Sequence, residues 1–272
     1  MALIGTLTSG ISALKSFSKG LEVIGNNIAN VNTTGYKSSS ASYSDSFSNT
    51  LRAASTAAGD SSVQVGTGVQ LAGISTNYTQ GSLSGTGVGS NLGISGNGYF
   101  VVEDANGGKF ATRDGSFKWD TDGKLVNAQG YSVLSSTGTP IQYPTPDPAD
   151  PATTPTSVSI GTDGTVTAFY ADGHSDTSAG QVGLIRIPDE TKLMKQGNNL
   201  YDFGATGAVV TDLTTPGTSG LGSIQSGKLE LSNVDLTEQF SELITTQRSF
   251  QAGSRLITVS DTVLEDIVNL KR

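Results

Sequence analysis

His174 is the only histidine of the chain, and it is the first residue to consider for chemistry. A histidine can act as the base of a catalytic triad when a nucleophile and an orienting carboxylate lie beside it. Here it stands in the stretch ADGHSD, whose glycine and aspartates are typical of a turn between two strands. We therefore expect an exposed turn residue at this position and assign no catalytic residue.

Two other stretches resemble ligand-binding loops without completing them. The stretch DTDGK places Asp120, Asp122 and Gly123 as in the start of a calcium loop, but the twelfth position holds Tyr131 instead of the required glutamate. The stretch GTGVGSNLG, residues 85–93, is rich in glycine but has neither the dinucleotide fingerprint nor the phosphate-loop lysine. The sequence thus predicts a hairpin turn and a loop, no cofactor, no metal and no enzyme.

The composition excludes several classes of protein. The 272 residues carry a net charge of −8 with only 15% charged residues, which argues against a nucleic-acid partner. No cysteine is present, so disulfides and thiolate metal sites are excluded. The first twenty residues have no basic region followed by an apolar run, so we expect no cleaved secretory signal. The protein is expected to be cytosolic or to leave the cell by a route that reads no cleavable signal.

Both ends of the chain carry apolar residues at alternating steps of four and three, the pattern of a coiled-coil stripe. At the N-terminus these residues are Leu3, Leu7, Leu14, Phe17, Leu21, Ile24, Ile28 and Val31. At the C-terminus they form a first track of Leu236, Phe240, Leu243, Phe250, Ile257, Leu264 and Val268. A second track of Leu256, Val259, Val263, Ile267 and Leu270 widens this stripe. Asp235 and Glu238 predict a capping box that opens the C-terminal helix.

The pattern of residues in the middle of the chain predicts β-structure. Four Asp-Gly pairs, which supply the positive φ of tight hairpins, stand among short apolar runs such as YFVVE, KLVN and GLIRI. The pairs begin at Asp114, Asp122, Asp163 and Asp172. Prolines crowd residues 140–155, which we expect to form a loop because proline does not suit an interior strand.

The predicted fold class is α+β: a mostly β core flanked by terminal amphipathic helices that pair as a coiled coil on assembly. Residues 1–75 and 225–272 are expected to form the helical assembly region, with an extended or mobile linker at 38–62. Residues 76–224 are expected to form the β core. The pattern alone leaves open whether the two helices pair with each other or with other chains.

The N-terminal helix is intrinsically weak. Its many Gly, Ser, Thr and Asn residues make it roughly 8 kcal/mol less stable than polyalanine. Such a helix does not hold together alone in water. We therefore expect a partner to bury its apolar stripe, and we expect the helix to fold on assembly.

Several motifs resemble those of one family, the axial proteins of the bacterial flagellum, which are its rod and hook subunits. The stretch NNIANVNTTGYK at 26–37 is similar to the N-terminal signature of the family. ISGNGYFVV at 94–102, the segment 111–131 and GNNLY at 197–201 resemble its core motifs, and residues 227–272 resemble its C-terminal helix. The signature residues are Asn26, Asn27, Ala29, Asn30, Asn32, Thr33, Gly35, Tyr36 and Lys37.

The resemblance implies a structural subunit that is exported unfolded through the flagellar type III apparatus and polymerises into a helical tube. The C-terminal stretch is most similar to the hook members, so the first interpretation is a flexible hook joining rod to filament. The alternative is the distal rod, and a further alternative of another class is a secreted β-rich binding module or enzyme. The implied partners are copies of the chain itself, the rod, the hook cap, the hook–filament junction proteins and the export apparatus. No small-molecule substrate is expected, and the implied location is the basal body or hook, outside the cell.

Overall fold

The computed structural model describes residues 2–52, 62–142, 157–170, 174–177, 179–209 and 212–270. Side chains are described from Gly5 onward. Two helices, Ala2–Ala29 (α1) and Leu236–Leu270 (α2), flank a series of short strands. The α+β fold predicted from the sequence is therefore confirmed. Most of the proline-rich stretch and the Asp172-Gly173 pair lie outside the described residues.

The strands are short, and most have two to five residues. The first ten are Ser39–Asp45 (β1), Ser48–Arg52 (β2), Val63–Gly66 (β3), Val69–Thr76 (β4), Leu83–Gly85 (β5), Leu92–Ser95 (β6), Tyr99–Glu103 (β7), Lys109–Thr112 (β8), Lys118–Trp119 (β9) and Leu125–Val126 (β10). The others are Ser132–Val133 (β11), Ser157–Ile160 (β12), Val166–Phe169 (β13), Ser175–Asp176 (β14), Leu184–Ile185 (β15), Met194–Gly197 (β16), Leu200–Asp202 (β17), Ser223–Ser226 (β18) and Lys228–Glu230 (β19).

The described residues form two compact units. The first unit takes in residues 1–30, 38–77 and 234–272, and so contains both helices and β1 to β4. The second unit takes in residues 31–37 and 78–233, and contains β5 to β19. The signature stretch 26–37 is thereby divided, with its asparagine-rich half in the first unit and its last seven residues in the second.

In the first unit the two helices pack antiparallel. The Asn27 side chain reaches Gln239, and the Thr6 hydroxyl lies 3.4 Å from that of Ser260. Asp235 caps α2, since its carboxylate accepts the backbone N–H groups of Thr237 at 2.8 Å and Glu238 at 3.4 Å. Neither helix among the described residues is long and apolar enough to cross a membrane.

Two antiparallel strand pairs complete the first unit. β1 pairs with β4, with a bulge at Ser42 and Tyr43, and β2 pairs with β3. The β4 end touches α1, because the Ser16 hydroxyl donates to the Val69 carbonyl at 3.3 Å and Val69 N donates to Ser12 Oγ at 3.3 Å. Within the expected linker 38–62, the described residues are therefore extended and largely paired as strands.

The second unit is built around β7. Its main sheet runs in the order β16-β17-β8-β7-β11-β10-β9, and β15 also pairs with β7. Phe100 and Val102 enter one buried cluster while Tyr99 and Val101 enter another, as strand alternation requires. Burial on both faces explains why YFVVE is continuously apolar.

The Asp-Gly pairs have two different roles. Gly123 (φ 74°) turns β9 into β10, and Gly164 (φ 83°) turns β12 into β13, as the sequence predicts. Gly115 is not at positive φ, so the hairpin prediction is wrong at Asp114-Gly115. A Cβ at Gly115 would overlap the Leu92 carbonyl, so glycine is required there for close backbone approach.

Candidate functional site

The predicted N-terminal stripe lies mainly against other elements of the first unit. Ile24 is buried, whereas the other members whose side chains are described are half-buried: Leu7, Leu14, Phe17, Leu21, Ile28 and, in the second unit, Val31. The Leu3 side chain lies outside the described residues. The partner that the weak N-terminal helix needs is therefore present in part within its own chain.

The first track of α2 is only partly covered. Leu243, Phe250 and Ile257 are half-buried, while Leu236, Phe240, Leu264 and Val268 are exposed. The closest helix contacts involve small residues, since a Cβ at Gly10 would stand 3.0 Å from Ile257 Cγ1 and one at Gly253 would stand 3.5 Å from Leu14 Cδ2. Glycine thus weakens each helix alone but allows their backbones to approach.

Asn27 explains part of the asparagine-rich signature. It is 1% exposed, and its amide nitrogen donates to Gln239 Oε1 at 2.9 Å and to the Ser39 carbonyl at 2.7 Å. Its Oδ1 accepts from the Ser39 backbone N–H at 3.0 Å. One side chain therefore joins α1, α2 and β1, which is the kind of buried polar contact that fixes register between helices.

The second track of α2 lies on a flank of the helix, next to the side that packs on α1. Leu256 and Val259 are 57% and 59% exposed, and every described residue after Ser260 is exposed. A groove of about 430 Å³ runs along this face, lined by Arg248, Gln251, Ala252, Arg255, Leu256 and Val259. An apolar floor edged by two arginines is typical of a surface that receives another protein.

The second half of the signature is held in the second unit. Gly35 has φ 67°, and a Cβ on it would stand 2.7 Å from the Asp114 backbone nitrogen, so no other residue fits without movement. The Thr34 hydroxyl donates to Asp114 Oδ1 at 2.9 Å, and Asn199 Nδ2 donates to the Thr34 carbonyl at 2.8 Å. The signature thereby contacts two core motifs, TRDG and GNNLY.

Lys37, Arg113 and Glu230 form a buried charge cluster, each at most 3% exposed. Lys37 Nζ donates to Glu230 Oε1 at 2.7 Å and Arg113 Nη1 donates to Oε2 at 3.2 Å. Glu230 Oε1 also accepts from the Gly81 backbone N–H at 2.9 Å, and Lys37 Nζ donates to the Thr79 carbonyl at 2.7 Å. The cluster joins the signature to the strand that precedes α2 in the sequence.

Burial governs the electrostatics around this cluster. It lowers the pKa of Lys37, although the Glu230 carboxylate opposes that shift. Burial also raises the pKa of Tyr99, whose ring lies 4.9 Å from the Arg113 guanidinium and whose hydroxyl donates to Glu190 at 2.9 Å. Arg113 Nε is buried and has no hydrogen-bond partner, so loss of a carboxylate here would leave cations without compensation.

Alkaline pH is expected to destabilise the second unit. Burial raises the pKa of Tyr99 and Tyr201, so the folded unit keeps protons that the unfolded chain loses near pH 10. Stability is complete below pH 10 and falls above it by about 1.4 kcal/mol per pH unit for each tyrosine. Lys37 acts in the opposite sense, but only up to about pH 10.5.

Tyr201→Phe provides the control for that expectation. It removes one ionisable group and keeps the ring that contacts Tyr78 and Tyr99. Thermal melting followed by circular dichroism from pH 9 to 11.5 should show a shallower decline for this variant. An unchanged slope would contradict the assignment of the alkaline loss to Tyr201.

The stretches ADGHSD and DTDGK, considered above as possible sites, have the geometry of ordinary turns. His174 is exposed, directly precedes β14, and stacks on Tyr170 with ring centroids 6.1 Å apart. The Asp120 carbonyl accepts the Gly123 backbone N–H at 3.0 Å, and the Asp120 backbone N–H donates to the Lys124 carbonyl at 2.9 Å, which closes the β9–β10 turn in agreement with the hairpin prediction. Among the described residues, no three acidic or histidine side chains are placed to hold a metal ion.

A helix pair with an exposed apolar surface is typical of structural subunits that associate with other chains. Family comparisons agree with this class. Residues 7–37 match "Flagella basal body rod protein", residues 93–168 match "Flagellar hook protein FlgE/F/G D1 domain", and residues 225–270 match "Flagellar basal body rod FlgEFG protein C-terminal". The chain belongs to this rod and hook family and is a structural subunit of the flagellar axis, as the motifs predicted.

Relatives match over almost the whole chain. It is similar to the flagellar basal-body rod protein FlgG of Bacillus subtilis, with 40% identity over 99% of this chain and 100% of the relative. It is 31% identical to FlgG of Borreliella burgdorferi over 100% and 99% of the two chains. It is 34% identical to the rod protein FlgF of Caulobacter vibrioides over 91% and 90%. These names favour the rod alternative over the hook interpretation drawn from the C-terminal stretch.

Proposed function

We propose that the chain is the distal rod subunit of the flagellar basal body and polymerises with copies of itself into a helical tube. The observation that carries the proposal is the full-length similarity to proteins named basal-body rod protein FlgG, with 40% identity to that of Bacillus subtilis. The domain plan alone does not distinguish rod from hook, because the middle segment matches a family description shared by FlgE, FlgF and FlgG.

The exposed second track supports self-association. It differs from the side of α2 that packs on α1, so it can contact a different surface of a neighbouring copy. Such a contact is heterologous, and heterologous contacts that do not close generate helical polymers. Neighbouring axial proteins, including the hook, and the type III export apparatus are the proposed further partners. The absence of cysteine suits a chain exported unfolded, because no disulfide can trap it before export. The proposed location is the basal body, reached without a cleaved signal peptide.

The hook remains the second candidate, since residues 227–272 carry the resemblance to hook members noted above. A straight tube needs equivalent subunits, whereas a curved tube needs subunits whose spacing differs around its circumference. Curvature of the polymer therefore separates the two candidates.

Electron microscopy of the purified chain at increasing concentration tests the proposal. We expect straight tubes in negative stain and a pelletable fraction that appears above a critical concentration. Curved tubes would support the hook instead. A chain that stays monomeric under every condition, including seeding with fragments of isolated rods, would contradict both candidates.

A further inference from the structure

The last seven residues of the signature, 31–37, are bound by the rest of the second unit in the way that a protein binds a peptide. Besides the side-chain contacts described above, the Gly35 backbone N–H donates to the Glu230 carbonyl at 2.8 Å. Lys195 Nζ donates to the Lys37 carbonyl at 3.3 Å. The residues that precede and follow this stretch, 1–30 and 38–77, belong to the first unit. Residues 31–37, which we name the latch segment, are therefore held in the second unit by their own contacts.

The apolar core of the second unit is complete without the latch segment. Among the described residues, both buried clusters take all their members from residues 78–224 and none from 31–37. The contacts of the latch segment are mainly hydrogen bonds and an ion pair. Its release exposes the Tyr36 ring, which is 8% exposed in the structure, but opens neither cluster.

The residues that receive the latch segment are positioned by other parts of the second unit. Asp114 is held by Ser116, whose hydroxyl donates to Oδ2 at 3.0 Å and whose backbone N–H donates to Oδ1 at 3.1 Å. Asn199 lies at φ 58° in the turn between β16 and β17, and its carbonyl accepts the Thr112 hydroxyl at 2.9 Å. Because these contacts do not involve residues 31–37, the binding site exists before the segment enters it. Such preorganisation lowers the entropic cost of docking.

Withdrawal of the latch segment leaves the buried charge cluster paired. Lys37 is the only member of the cluster that the segment carries, so its charge leaves with it. Glu230 then keeps Arg113 and the Gly81 backbone N–H as partners. Burial lowers the pKa of Lys37, which shows that its charged form is less favoured in the cluster than in water.

Chain connectivity favours late docking of the segment. Its contacts with Thr79 and Glu230 join residues 42 and 193 positions apart. The hairpins β7–β8, β9–β10 and β16–β17 are instead closed by two to five residues. Closing a long loop costs more entropy than closing a short one, so long-range contacts form once local ones are in place.

We propose that residues 31–37 are a latch that opens and closes on a second unit whose core is already folded. The unlatched form keeps both buried clusters and loses the contacts of the segment. Closure needs Lys37 and Glu230 together, so it requires a chain that is present from the signature to β19. In a chain exported unfolded, closure then waits until residue 230 has emerged; that consequence, unlike the latch itself, rests on the proposed function.

Amide hydrogen exchange in the full chain, kept below the concentration at which it assembles, tests the latch. Two buried amides are compared: Gly35 N–H, which reports the latch segment, and Leu134 N–H, which donates to the Val101 carbonyl at 2.9 Å in the core. Each rate is divided by the rate of the same amide in an unfolded peptide. We expect Gly35 to be at least about 100-fold less protected than Leu134, because local opening needs less free energy than unfolding of the core.

Thr34→Val is the variant that weakens the closed form. It keeps the shape of the side chain and removes the hydroxyl that donates to Asp114 at 2.9 Å. Loss of a hydrogen bond to a charged group should speed exchange at Gly35 by about tenfold or more and leave Leu134 unchanged. The matched control is Thr165→Val, which removes a hydroxyl bonded to the Asp163 carboxylate in the β12–β13 turn and should not alter exchange at Gly35.

Two results would overturn the latch. Equal protection of Gly35 and Leu134 would show that residues 31–37 open only when the whole unit unfolds. An effect of Thr34→Val that is the same at both amides, or absent at Gly35, would show that the contact with Asp114 does not hold a separately opening segment. Neither result bears on whether the chain polymerises, so the proposed function is tested independently.

Discussion

Replacing Glu230 with alanine is expected to lower the free energy of unfolding of the second unit by about 3–5 kcal/mol. The carboxylate is fully buried and accepts from Lys37, Arg113 and the Gly81 backbone N–H. Its removal leaves two buried cations uncompensated, and removing one partner of a buried ion pair costs this much because the remaining charge is desolvated. Arg113 loses most, since its Nε already has no partner.

Trp119, the only tryptophan, packs against the core cluster of the second unit and reports its unfolding directly. Urea titration followed by its fluorescence should give a lower midpoint for Glu230→Ala with an unchanged slope. The matched control is Lys192→Ala, which breaks the exposed Asp189–Lys192 pair and should leave the midpoint nearly unchanged. An equal decrease of the urea midpoint in both variants would contradict a larger stabilising contribution from the buried cluster.

Short-range features of the fold follow from the sequence. The helices, β7 and the turns at Asp122-Gly123 and Asp163-Gly164 are set by periodicity, apolar content and turn chemistry within a few residues. The sheet order is not, since it depends on pairings between strands that are distant in the chain. The strands around KLVN and GLIRI also prove shorter than the apolar runs that predicted them.

The contacts that hold the signature are long-range, and this is why sequence reasoning missed them. Asn27 meets Gln239 across 212 positions, and Lys37 meets Glu230 across 193. The only local signal was Lys37, the one charged residue of the stretch NNIANVNTTGYK. Gly35 was a second signal, because a glycine often marks a residue with positive φ or a close approach of two backbones. In the structure Gly35 has both features.

The sequence predicted the apolar positions of α2, but it did not predict which positions of this helix face α1. A heptad track drifts around a straight α-helix by about 20° per heptad, so spacing alone does not say which residues face α1. Gln239, Gly253 and Ser260 are buried against α1 instead of the largest apolar residues. The second track is consequently the more exposed surface, and substitutions on it separate assembly from folding.

The double substitution Val263→Asp and Ile267→Asp is expected to abolish polymerisation without changing the melting of the monomer. Both side chains are 40–49% exposed in the single chain, so charging them costs the monomer little. In a contact between copies each would become a buried, unpaired carboxylate, at a cost of several kcal/mol. Since about 1.4 kcal/mol corresponds to a tenfold change in affinity, the critical concentration should rise by at least ~1000-fold.

Two further variants show whether that loss comes from the second track of α2 or from a weakened subunit. Thr258→Asp adds a carboxylate to an exposed position outside this track and should leave both sedimentation and melting near those of the natural chain. Ile24→Asp places one at a side chain that is 3% exposed within the first unit, and should lower the melting temperature as well as the pelleted fraction. If the Val263 and Ile267 variant instead melts like Ile24→Asp, these side chains are already needed within the monomer, and the second track is not the assembly surface. If it pellets like Thr258→Asp, the polymer is held by other surfaces, and the exposed second track of α2 has no part in it.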